Sequence, residues 1–183
     1  MLMGSLLIGT PAADQDWQKR LRSAERRLRA AERDYLRWRA DNDCLQRTGI
    51  EPPVLPLAVR LGAIGAEPRT SCAGHWDAGC LSPTYVGVWV GPEAIPAWEA
   101  FVRDLLTRFP LEGGAVIAVR RFPDAGAYSV TLEWYPAHRG AATARRLRRR
   151  VLDRLALWID EWAMGGGICR WRTVTPGRGW PWG

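Results

Sequence analysis

Lysine is almost absent from this chain: Lys19 is the only one among 26 basic residues. Histidine is nearly as scarce, with His75 and His138 alone. No HExxH-like helix accompanies them, so the usual sequence mark of a catalytic zinc centre is missing. The four cysteines, Cys44, Cys72, Cys80 and Cys169, are too few and too scattered for a disulfide scaffold. No stretch approaches the ~20 apolar residues of a membrane span. The run Leu6–Ile8 is too short for a secretory core and follows no Lys or Arg. A cytoplasmic protein without a membrane partner is the expectation. The chain has no P-loop, no dinucleotide fingerprint and no G-x-S-x-G elbow. Neither an enzyme nor a bound cofactor is expected.

What the chain does have is tryptophan and arginine. Eleven tryptophans stand in 183 residues, and the net charge is +7. Tryptophan suits cores and interfaces alike, because a large ring carries one polar N–H. A basic excess favours acidic partners, nucleic acid first. A GC-rich genome writes the same arginine bias, so arginine content alone argues nothing. Apolar content of 47% and charged content of 25% are ordinary for a globular chain of one domain plus an appendage.

The clearest pattern covers residues 14–48. Trp17, Leu21, Ala24, Leu28, Ala31, Tyr35, Trp38, Asn42 and Leu45 alternate spacings of four and three. That is an a/d seam of about four heptads, a long amphipathic helix of coiled-coil grade. Glu25 precedes Arg29, and Asp16 precedes Arg20, by one helical turn. The seam fits a second copy of the chain, another protein, or the chain's own domain. Residues 1–13 are expected to be disordered.

Residues 49–84 read as a Pro/Gly-rich connector, since Pro and Gly at this density disfavour long helices and central strands. Within it lies "CAGHWDAGC", residues 72–80. Cys72, His75 and Cys80 are candidate zinc ligands, but the second half of a zinc motif is missing. A Cys72–Cys80 disulfide and a loop with free thiols are the alternatives. The expectation is free thiols and no metal.

From residue 85 to 176 the order is regular. "YVGVWV" (85–90) reads as a strand. Residues 92–109 read as a helix with Trp98, Phe101, Val102, Leu105 and Phe109 on one face. "GAVIAVRRF" (114–122), a "PDAG" turn and "AYSVTLEWY" (127–135) read as a hairpin. Residues 140–163 form a helix with Ala144, Leu147, Val151, Leu155, Trp158 and Trp162 as its stripe. Gly165–Gly167 ends it. "ICRWRTVTP" (168–176) reads as the last strand. The sum is an α+β domain with ferredoxin-like β-α-β-β-α-β order and both helices on one face of the sheet. Residues 177–183 form a Trp/Gly-rich tail.

Two surfaces of this domain invite nucleic acid. Arg145, Arg146, Arg149 and Arg150 fall opposite the apolar stripe of the second domain helix, a face suited to phosphates. "VWVGPE" (88–93) is similar to the first-strand motif of RNA recognition motifs, with Trp89 at the stacking position of the sheet. Where that family's third-strand aromatics belong, this chain has Ala127 and Ser129, so half the platform is missing. The leading expectation is a non-enzymatic interaction or assembly module that uses the helical seam and tryptophan surface. A nucleic-acid-binding accessory protein, on RNA or DNA, is the alternative. A zinc- or thiol-dependent enzyme stands behind both.

Overall fold

A computed structural model describes residues 11–41, 49–77, 80–109, 115–122, 126–134 and 140–167. At positions 35, 36, 38–41, 77, 80, 81, 134 and 167 the description extends to the backbone only. Leu45, Cys44, His138, Cys169, the 168–176 segment and the 177–183 tail lie outside the described residues.

The chain starts with α1, Pro11–Asp41. Pro11 sits at the first helical position, where its missing N–H costs no helical bond. The anticipated one-turn pairs form: Arg20 Nε to Asp16 Oδ2 at 3.1 Å and Arg29 Nη2 to Glu25 Oε1 at 2.6 Å. A 3-10 turn, Pro52–Val54, leads into α2, Leu55–Ile64. Next come β1 (Glu67–Cys72), the small hairpin β2 (Trp76–Asp77) and β3 (Cys80–Leu81), and β4 (Thr84–Trp89). A second 3-10 turn, Pro92–Ala94, opens α3, Ile95–Arg108. The hairpin of β5 (Ala115–Arg121) and β6 (Ala127–Trp134) follows, then α4, Ala141–Trp162. A wide turn, Ala163–Gly167, ends α4 with Gly166 at φ +97°, as the glycine run predicts.

The main sheet has four antiparallel strands in the order β1-β4-β6-β5. β6 lies between β4 and β5, which α3 connects, so the split β-α-β at the heart of the expected arrangement is present. The edge beside β4 differs. Ferredoxin-like order assigns that place to 168–176, but β1 fills it, from the stretch expected as a connector. The prolines there mislead for a physical reason. Pro52, Pro53 and Pro56 occupy the first turns of helical elements. Pro68 lies in an edge strand, beside a register shift between Pro68 and Thr70.

One face of the sheet is apolar: Val86 and Val88 of β4, Val130 and Leu132 of β6, and Ile117 of β5. These join Trp98, Phe101 and Leu105 of α3 and Val151, Leu155 and Ile159 of α4 in one buried cluster. Phe101 meets the rings of Trp98, Trp158 and Trp162 at centroid distances of 5.4, 6.1 and 5.0 Å. The Trp162 indole donates to Asp104 Oδ2 at 3.0 Å, pinning α4 to α3. Seven of the ten α2 residues are buried, which makes it a central rather than a surface helix.

The seam of α1 packs on its own chain. Trp17 and Ala24 are each 1% exposed, and Leu21 and Leu28 lie half-buried against the same core. Ala24 faces Gly62 of α2 so closely that a Cβ on that glycine would lie 3.4 Å from Ala24 Cβ. Small residues on both sides permit this approach. The Trp17 indole donates to Asp160 Oδ1 at 2.8 Å, and Arg60 of α2 grips both oxygens of the same carboxylate at 3.0 and 2.7 Å. Asp160 thus fastens α1 and α2 to α4. Ala31 is exposed, and the seam positions described as packed are Trp17, Leu21, Ala24 and Leu28. No described helix is long and apolar enough to cross a membrane.

Candidate anion cleft and thiol-histidine cluster

α4 enters with "AATARRLRRRVLDRL", whose apolar residues Ala144, Leu147, Val151 and Leu155 turn to the core. The arginines between them must then face outward or sideways. Arg145, Arg146 and Arg149 are exposed and line a cleft of about 520 Å³ with Arg148. The opposite wall is Pro52, Pro53 and Pro56, and Leu152 and Asp153 complete the lining. Arg145, Arg146, Arg148 and Arg149 therefore share the lining with one carboxylate, Asp153, whose contact with Arg149 is long at 3.9 Å. Three of the four arginines expected to meet phosphate share this cleft. Arg150 is exposed but is not part of the lining.

Arg148, half-buried beside Leu147 of the apolar stripe, has a definite task. Its Nη1 donates to the backbone carbonyls of Ala73 and Gly74 at 2.6 and 2.8 Å. Burial lowers its pKa below the usual arginine value, and the neighbouring Arg145 charge acts the same way. Glu51 and Cys72 oppose the shift as negative partners. Its Nε is buried without a partner among the described residues. Arg148 is the link between the cleft and a second cluster behind it.

That cluster consists of Glu51, Cys72 and His75, whose ligand atoms all lie within 4.8 Å of one another. Glu51 precedes the Pro52–Val54 turn, and its N–H donates to Ser71 Oγ at 2.8 Å. Its Oε2 accepts the Ala73 N–H at 2.9 Å, and its Oε1 stands 3.8 Å from His75 Nε2. Cys72 ends β1 as a free thiol, and its sulfur accepts the Gly74 N–H at 3.4 Å. Gly74 has φ +79°, a turn that swings His75 back toward the cysteine. The His75 backbone is fixed to Ser82 in both directions: its N–H donates to Oγ at 2.7 Å and its carbonyl accepts the Ser82 N–H at 2.8 Å. Thr84 adds a hydroxyl to the Ala73 carbonyl at 2.9 Å.

The spacing C-x2-H thus brings Cys72 and His75 together as read from the sequence. Cys80 pairs with Asp77 along the β2–β3 backbone. Glu51 joins the cluster instead, and no motif in the sequence announces it. Trp89 lies half-buried on the sheet face opposite Val86 and Val88, and its neighbour across β6 is Ala127. Ser129 and Thr131 on that face are buried and share a hydroxyl contact of 2.7 Å. Glu133 of β6 pairs with Arg120, with its side chain 17% exposed, rather than standing in solvent. No protein family, curated protein or solved structure matches this chain.

Proposed function

We propose that the protein binds phosphate-rich polyanions, nucleic acid in the first instance, through the arginine cleft of α4. The observation that carries this reading is one cleft lined by the exposed Arg145, Arg146 and Arg149, with Arg148 beside them and a single acid in the lining. Guanidinium groups present forked donors that match phosphate oxygens, and a rigid helix holds their spacing. Pro52 and Pro53 give the facing wall a stiff, apolar surface for a sugar or base to lie against. With no complete base-reading set, binding is indifferent to sequence. An assembly role through the α1 seam has less to support it, because Trp17, Leu21, Ala24 and Leu28 already pack within the chain.

The test is a salt-titrated binding assay on duplex DNA and single-stranded RNA. Three to four phosphate contacts give a log–log slope of roughly −3 on duplex and a shallower one on single strands. Changing Arg146 and Arg149 to glutamine lowers that slope by about two units. Both side chains are exposed, so circular dichroism and the melting temperature of this variant stay at wild-type values. A flat salt response, or no binding at low salt, refutes the reading.

A further inference from the structure

We infer that Glu51, Cys72 and His75 form a binding site for a thiophilic divalent metal, zinc foremost. The donor set is the first argument. A thiolate, an imidazole and a carboxylate are each accepted by zinc. Of the hard cations, magnesium and calcium prefer all-oxygen shells, which this cluster does not offer.

Geometry is the second argument. Bonds of 2.0–2.3 Å to a tetrahedral zinc place ligand atoms about 3.5 Å apart. Here they lie within 4.8 Å of one another, so closure needs movement of about an ångström. The His75 side chain is 70% exposed and can supply most of that movement by rotation. The other two ligands are held. Glu51 keeps Oε2 on the Ala73 N–H, which leaves Oε1 directed to the histidine. The Cys72 sulfur already receives the Gly74 N–H, a contact that stabilises negative charge on a ligand sulfur.

The surroundings are the third argument. Arg148 clasps the Ala73 and Gly74 carbonyls from beneath, and Ser82 and Thr84 tie down the same turn. Such a supporting shell orients metal ligands. The sequence led to the opposite expectation, a metal-free loop, because the second half of a zinc motif is missing from it. Glu51 comes from outside that motif.

The test uses the full chain stripped with EDTA and titrated with Co2+ alone, then with Zn2+ in competition. One equivalent of cobalt produces a thiolate-to-cobalt charge-transfer band, and zinc displaces it. Cys72→Ser abolishes the band. His75→Ala and Glu51→Gln each weaken cobalt binding by about tenfold or more, since losing a ligand costs at least as much as losing its support. His75→Ala removes an exposed side chain and Glu51→Gln keeps a hydrogen-bond acceptor, so both variants fold. Three results overturn the site: no band in the wild type, a band that survives Cys72→Ser, or affinities unchanged in both His75→Ala and Glu51→Gln.

Discussion

Replacing Asp160 with alanine should detach α1 from the rest of the protein. The carboxylate accepts three hydrogen bonds: one from the Trp17 indole at 2.8 Å and two from Arg60 at 3.0 and 2.7 Å. Hydrogen bonds to a charged group contribute about 1.5–3 kcal/mol each. Three that share one acceptor do not add. The ion pair is also partly solvated, with side chains 21% and 16% exposed, which screens it. After truncation Arg60 keeps its bond to the Pro56 carbonyl and reaches water. Trp17 has no such recourse, because its side chain is almost wholly buried and its N–H loses its partner. Together these give a loss of about 3 kcal/mol for Asp160→Ala. Asp160→Asn keeps an acceptor for the indole and costs about half as much. For a chain of this size 3 kcal/mol lowers the melting temperature by about 6–12 °C. Urea unfolding measures the energy, and hydrogen exchange over residues 11–34 measures where it is lost. A double-mutant cycle with Trp17→Phe isolates the indole bond. Asp160→Ala within about 0.5 kcal/mol of wild type, the range of a neutral surface change, refutes the reasoning. So does a Trp17→Phe cost that is the same in both backgrounds.

Three further outcomes test the packing. Ala24→Leu drives a larger side chain into Gly62, so the urea midpoint falls by an amount equivalent to about 1–3 kcal/mol and α1 amides lose protection; an unchanged midpoint contradicts the close α1–α2 approach. Tyr128→Phe removes a buried hydroxyl that has no partner among the described residues, while the ring stays 5.6 Å from Trp98, so thermal unfolding should show a gain of about 1 kcal/mol; a loss of that size means the hydroxyl is bonded. Gly126→Ala combines φ +85° with a Cβ 2.3 Å from the Val90 carbonyl oxygen, and denaturation should show a loss of about 2 kcal/mol or more; a neutral result refutes that turn geometry.

The sheet and its two flanking helices were legible because their periods are clean. The strand read at 85–90 forms at Thr84–Trp89, and the hairpin read at 114–122 and 127–135 forms at Ala115–Arg121 and Ala127–Trp134. Both helices keep the apolar stripes that identified them. α2 was illegible for the opposite reason. Leu57, Ala58, Val59, Leu61, Gly62, Ala63 and Ile64 are all buried, so no polar face exists to mark a period. β1 was hidden by Pro68, which an edge strand tolerates and a central strand does not. Trp17, Leu21, Ala24 and Leu28 of the α1 seam do pack, but spacing cannot say what covers them. Ala24 and Gly62 decide that question, and they are far apart in sequence.

The arginines show the same limit at the level of single side chains. On a helical wheel Arg148 flanks the stripe, a position equally suited to solvent or to the domain. What turns it inward is the pair of carbonyls at Ala73 and Gly74, exposed by a turn that only Gly74 at φ +79° can make. The turn in turn presents Cys72 and His75, and the N–H of its Ala73 fixes Glu51. The cleft and the thiol–histidine cluster are therefore mechanically joined: α4 carries Arg145, Arg146 and Arg149 on the cleft side and Arg148 on the cluster side. A ligand that draws α4 toward the Pro52–Pro56 wall also moves the carbonyl anchor of the cluster. The two sites are joined through Arg148 and through Glu51, which adjoins Pro52 of the cleft wall. The conservative replacement of Arg148 by lysine, which keeps one charge but loses the planar fork, is where that coupling should first fail.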